Sequence, residues 1–112
     1  MRLIPRALSD AVARVTEGRS GKWPAVRAAH LKRQPACAAC GQTKELNVHH
    51  RIPFHVDPSL ELSPENLITL CEHSPQSCHY HFGHCALSWK AFNPHVVEDA
   101  ATFQMRRIEA VR

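Results

Sequence analysis

The side chains best suited to chemistry in this 112-residue chain are its five cysteines and nine histidines, and they are crowded together. All the cysteines fall between Cys37 and Cys85, and seven of the histidines fall between His49 and His84. Cys37-x2-Cys40 and Cys71-x6-Cys78 form two thiol pairs. Four thiolates neutralise Zn2+ and close its tetrahedral shell with no open position, so the pattern points to a structural zinc site. The second pair has a longer spacing than the usual two residues, and His73 or Cys85 could replace one of its thiols. Cys85 is otherwise expected to be a buried thiol behaving as a small hydrophobe. The odd cysteine count and the lack of an apolar N-terminal stretch argue against a disulfide framework and for a reducing, cytoplasmic setting.

The histidines suggest a second kind of site. His49 and His50 are adjacent on an expected strand, where neighbouring side chains point to opposite faces. One imidazole can then hold a metal while the other faces a substrate. Asn66 lies just before a second strand, and His79 directly follows the thiol of Cys78. A divalent metal with only two or three protein ligands keeps open positions for substrate oxygens, which is the arrangement of hydrolysis. His30, His55, His73, His81 and His95 read as surface or hydrogen-bonded imidazoles, with His81 a candidate phosphate contact.

These side chains need elements to position them. Leu8–Val15 reads as a short helix behind Ser9-Asp10, and Gly18–Gly21 breaks it. Trp23-Pro24 opens a helix that Pro35 ends, with Val26 and Leu31 facing inward. Leu46–Pro53 alternates like a strand, and Leu67–Cys71 is a second one. With His79–Leu87 as a short helix, the centre of the chain is a ββα unit. Asn93-Pro94 starts a last helix, whose recurring Val97, Ala101, Met105, Ile108 and Val111 should face the core.

Composition narrows the class. Hydrophobic residues are 44% and charged residues 21%, a globular balance. No apolar run is long enough to span a membrane. Charge is uneven, because residues 1–34 carry a net +6 and residues 35–112 a net −2, giving the total of +4. A basic arm on a near-neutral core suits a polyanion, and Arg27, Lys32 and Arg33 are candidate nucleic-acid contacts.

His49-His50, Asn66 in the run Asn66-Leu67-Ile68-Thr69-Leu70-Cys71, and Cys78-His79 resemble the motif of the HNH endonuclease family. The flanking cysteine pairs resemble its zinc-stapled branch. The stretch Cys78–His84 followed by Trp89-Lys90 and Asn93-Pro94 is similar to small HNH proteins of phage and prophage genomes. The resemblance implies an α+β fold, a ββα-metal core with a structural zinc site and flanking helices at both ends. It implies one domain over 1–112: a basic arm or helix (1–22), the zinc-stapled core (23–94) and a C-terminal helix (95–112).

By the same resemblance His49 and His79 are ligands of a catalytic divalent metal (Mg2+, Mn2+, Ni2+ or Zn2+), and His50 is the general base. Asn66 braces the loop that orients the base, and Cys37, Cys40, Cys71 and Cys78 hold the structural zinc. His84 is a further metal ligand in some relatives. On an ideal α-helix it would stand about 140° from His79, so ligation needs a frayed helix start or a turn distorted at Gly83. The activity implied is metal-dependent hydrolysis of DNA, by nicking or double-strand cleavage, leaving 5′-phosphate and 3′-hydroxyl ends. The alternative is a zinc-stapled nucleic-acid-binding module without catalysis, and a metal-sensing or storage protein is a third reading. The open metal site argues against the second, and the basic arm and Asn66 argue against the third.

Overall fold

A computed structural model describes residues 20–73 and 77–110. The expected helix at Leu8–Val15 lies outside the described residues, as does all of the basic arm before Ser20. Helix α1 spans Trp23–Arg33, with Pro24 in its first turn, where the missing N–H costs no hydrogen bond. It buries Trp23 and His30 and half-buries Val26 and Leu31. Gln34 ends it and pins it to the sheet. The backbone N–H of Thr69 donates to Gln34 Oε1 at 2.7 Å, and the Thr69 hydroxyl donates to the Gln34 carbonyl at 2.7 Å.

Strands β1 (Leu46–His50) and β2 (Leu67–Cys71) pair antiparallel, from Leu46 opposite Cys71 to His50 opposite Leu67. A two-stranded ribbon is marginal alone and needs cover on its faces. Here it is covered on both. Val48 and Leu67 pack against Trp23 of α1, while Ile68 and Leu70 pack with Cys37, Cys71, Cys78 and the C-terminal helix. The loop between the strands holds two 3-10 turns, Pro58–Leu60 and Pro64–Asn66. β1 ends at His50, short of the expected Pro53.

After β2 the chain makes a π-helical turn over His79–Gly83 instead of the expected helix to Leu87. Helix α2 then runs Val96–Ala110. Its buried face differs from the expected one. Val96 and Ala100 are buried and Phe103 packs on Phe82, whereas Val97, Met105 and Ile108 are exposed. Cys85 is also a correction, since it is exposed in a turn with φ +59°. The left-handed backbone at Cys85 and Ala86 makes a tight surface turn that carries the thiol. The observed class is a small α+β fold: a two-stranded antiparallel sheet with a helix at each end and a ββα-like centre. Among the described residues no helix is long and apolar enough to cross a membrane.

Candidate metal centres and active-site cleft

The knuckle Cys37–Cys40 turns back on itself, with Gly41 N–H donating to the Cys37 carbonyl at 3.0 Å. Gly41 adopts φ +79°, which glycine reaches without the clash a Cβ would cause. The turn faces the end of β2, and the sulfurs of Cys37, Cys40, Cys71 and Cys78 all lie within 4.8 Å of one another. The six-residue spacing of the second pair is therefore no obstacle to convergence. No disulfide links them, and Cys40 Sγ to Cys71 Sγ is 3.6 Å. Burial pushes the thiols of Cys78 and Cys40 up. At Cys37 burial acts the same way, but backbone N–H groups of Cys40 and Ala39 outweigh it and hold the thiol below its ordinary value. Four convergent sulfurs in a small core suit Zn2+, which would neutralise them and tie the knuckle, β2 and the start of the π-helical turn together.

A second cluster gathers around His49 at the end of β1. One ligand nitrogen each from His49, His79 and His84 fall within 4.8 Å of one another. Their tautomers follow from their other contacts. His79 Nδ1 donates to Glu72 Oε1 at 2.8 Å, and His84 Nδ1 donates to the Ala91 carbonyl at 2.7 Å. Each ring therefore carries its lone pair on Nε2. Those two nitrogens face each other at 3.2 Å, so two acceptors meet with no proton between them. His49 Nε2 is buried without a hydrogen-bond partner. Converging lone pairs and an orphaned buried nitrogen fit a cation. Burial, reinforced by the neighbouring imidazoles, pushes His49 down to about 2. Burial also holds His79 below its ordinary value despite Glu72. Both rings stay neutral near pH 7, the form that binds metal.

The π-helical turn brings His84 in. A turn closed at i→i+5 is wider than an α-turn, so residues five apart diverge less than on an α-helix. Gly83 is the second requirement. A methyl group built on it would lie 2.8 Å from His49 Cε1, 2.9 Å from Nδ1 and 3.0 Å from Nε2. Only glycine lets the turn close on that ring.

His50 is on the opposite face of β1, against Trp23, with ring centroids 4.5 Å apart. Its Nε2 donates to the Glu61 carbonyl at 2.8 Å, which makes Nδ1 the ring's proton acceptor. Asn66 is buried beneath the same loop. Its Oδ1 accepts from Ile52 N–H at 2.8 Å, and its Nδ2 donates to the carbonyls of Ile52 and Leu60 at 3.0 and 3.1 Å. Leu60 directly precedes the residue whose carbonyl holds His50.

Both faces meet at the strand end in one cleft of about 380 Å3, lined by His49, His50, His79, His84, Trp23 and Trp89 among others. His55, read from sequence as an ordinary surface histidine, is exposed and also lines it. The basic candidates stand elsewhere. Arg27 is half-buried, with Nη2 at 3.4 Å from Asn47 Oδ1, while Lys32 and Arg33 are exposed at the far end of α1. His81 is exposed beside Cys78 and Phe103, outside the cleft.

Sequence reasoning missed Glu72, Trp23, Gly83 as a packing site, and Trp89. A signal for Glu72 was present: Cys71-Glu72 and Cys78-His79 are parallel dipeptides, so sulfurs that converge carry their neighbours together. Such a partner fixes the tautomer and orientation of a ligating imidazole.

A family model described as HNH endonuclease matches residues 37–84, from the first knuckle cysteine to the last histidine of the trio. No curated protein and no solved structure matches the chain. The sulfur cluster, the imidazole trio and His50 all fall inside the matched segment, and over residues 37–84 the chain is similar to the HNH endonuclease family.

Proposed function

We propose that the protein is a metal-dependent endonuclease that hydrolyses DNA phosphodiester bonds at the cleft between His50 and the imidazole trio. One observation carries this reading: a histidine with its tautomer fixed by a backbone carbonyl lines the same cleft as three imidazoles with converging nitrogens. His50 Nδ1 takes the proton of the attacking water, and the Nε2–H bond to Glu61 stabilises the charged ring that results. Trp23 holds the ring in place, and Asn66 holds the loop that supplies the carbonyl. His49, His79 and His84 would hold the catalytic cation, with Glu72 orienting His79. When bound, a divalent ion supplies polarisation of the phosphate and stabilisation of the leaving oxygen. Three neutral nitrogens and no carboxylate favour Ni2+ or Zn2+ over Mg2+. Cys37, Cys40, Cys71 and Cys78 hold a structural zinc that keeps His79 in position. A pure binding module would have no use for an orphaned imidazole nitrogen in the cleft floor.

The test is conversion of supercoiled plasmid by zinc-loaded protein across a panel of added divalent metals. The expected result is nicked or linear product, with more from Ni2+ or Zn2+ than from Mg2+. No conversion with any metal, alongside intact DNA binding, would favour the non-catalytic reading.

A further inference from the structure

We propose that Trp89 is a stacking platform for an unpaired nucleobase next to the scissile phosphate, so that the preferred substrate is single-stranded or locally unpaired DNA. This rests on the nuclease reading above. Trp89 touches two imidazoles of the trio and the neighbouring Tyr80 ring, with centroid distances of 4.8 Å to His84, 5.2 Å to His79 and 5.0 Å to Tyr80. All are tilted or edge contacts, at 54° to 67° between planes, so no ring lies flat on the indole. Those rings fix its position, yet it remains 57% exposed. The other tryptophan, Trp23, is 9% exposed. An apolar indole held at a polar cleft with its surface in solvent is placed to receive a flat ligand.

The other cleft-lining side chains point the same way. Among the described residues lining it there is no lysine or arginine, and its apolar wall includes Trp23, Pro53 and Phe54. No charged side chain of the cleft lining therefore grips the DNA backbone beside the metal ligands, and holding the strand there needs another attraction. Indole–base stacking provides an attraction that works for any base, because every base has a π face. In a paired duplex both faces of a base are covered by its neighbours. An indole can therefore stack only on a base that is unpaired or turned out of the helix.

The experiment uses the full chain, zinc-loaded, in a His50→Ala background so that no probe is cleaved. Affinities are measured by fluorescence anisotropy for a labelled single-stranded oligothymidylate and a fully paired two-strand duplex without a loop. Trp89→Leu should weaken single-strand binding about 5- to 150-fold, the range of one base stack. Duplex affinity should change less than about twofold, and Trp89→Phe should retain most of the single-strand affinity. Ni2+ affinity of the Leu variant, measured alongside, should match the parent. Equal loss on both DNAs, no loss on the single strand, or no single-strand binding by the parent would each overturn the platform. A loss that tracks weakened Ni2+ binding would also overturn it, and would make Trp89 only a wall of the imidazole trio. Because cleavage is never read, failure here leaves the plasmid test of nuclease activity standing, and failure there leaves this result interpretable.

Discussion

Gly83→Ala is the smallest change that should separate the two proposed metal centres. The added methyl would sit 2.8–3.0 Å from three atoms of the His49 ring. Carbon contacts settle near about 3.5–4.0 Å, so the ring or the turn must give by roughly 0.5–1 Å. Metal–ligand distances hold within about 0.2 Å of their ordinary values. The ring cannot clear the methyl and keep its place in the trio. Displacing one imidazole of three should lower affinity for the cleft cation by about 10- to 100-fold, the range seen when a supporting contact is lost. Helix propensity acts in the opposite direction, since alanine is better than glycine by about 1 kcal/mol in a helix interior. Gly83 is not among the residues with positive φ, so no backbone strain opposes alanine there. Overpacking costs about 1–3 kcal/mol, so folding stability alone is a poor discriminator. The assay is calorimetric titration of zinc-loaded wild-type and variant protein with Ni2+, with zinc content measured beside it. Weakened Ni2+ binding at unchanged zinc content is expected. Unchanged Ni2+ affinity with a raised melting temperature would show that the His49 contact places no demand on residue 83.

The other perturbations probe single links of the same design. Glu72→Gln keeps the shape but weakens the bond that orients His79; Ni2+ affinity should fall about 10-fold or more while zinc is retained, and an unaltered titration would remove Glu72 from the site. Cys78→Ser leaves three thiolates, so zinc content by elemental analysis should drop from about one per chain and folding cooperativity with it; full zinc retention would point to a different fourth ligand. Lys32→Ala with Arg33→Ala should reduce the salt dependence of DNA binding by up to about two phosphate contacts. Arg27→Ala should do less, because Arg27 is turned onto Asn47; an unchanged slope in the double variant would make the end of α1 a solvated face.

Local patterning made a good part of this molecule legible. The Trp23-Pro24 start, the span of β2 and the glycine after the second knuckle thiol rest on backbone chemistry that short sequence windows carry. The opposition of His49 and His50 follows from strand alternation, and the structure shows each ring packed on its own partner. The face of α2 was different. Val96 and Val97 start two competing stripes one residue, about 100°, apart. The stripe that wins is the one facing Phe82 and the knuckle, a fact of tertiary packing. His84 shows the same limit. On an α-helix its spacing from His79 diverges, and only the wider π-helical turn, with Gly83 admitting the His49 ring, reconciles it with the trio. Trp23 on His50 and Glu72 on His79 are contacts between distant segments that no single window contains.

The most direct measurement of the central claim compares wild-type and His50→Ala protein in one cleavage assay, with DNA affinity and metal content measured on the same samples. A general base acts in the transition state and adds little to ground-state binding. Loss of the base should lower the cleavage rate by about 10^2- to 10^4-fold, while zinc content, Ni2+ affinity and DNA affinity stay near wild type. Cleavage at the wild-type rate in that variant would contradict the account, because His50 would then be a packing residue and the proton acceptor would lie elsewhere in the cleft.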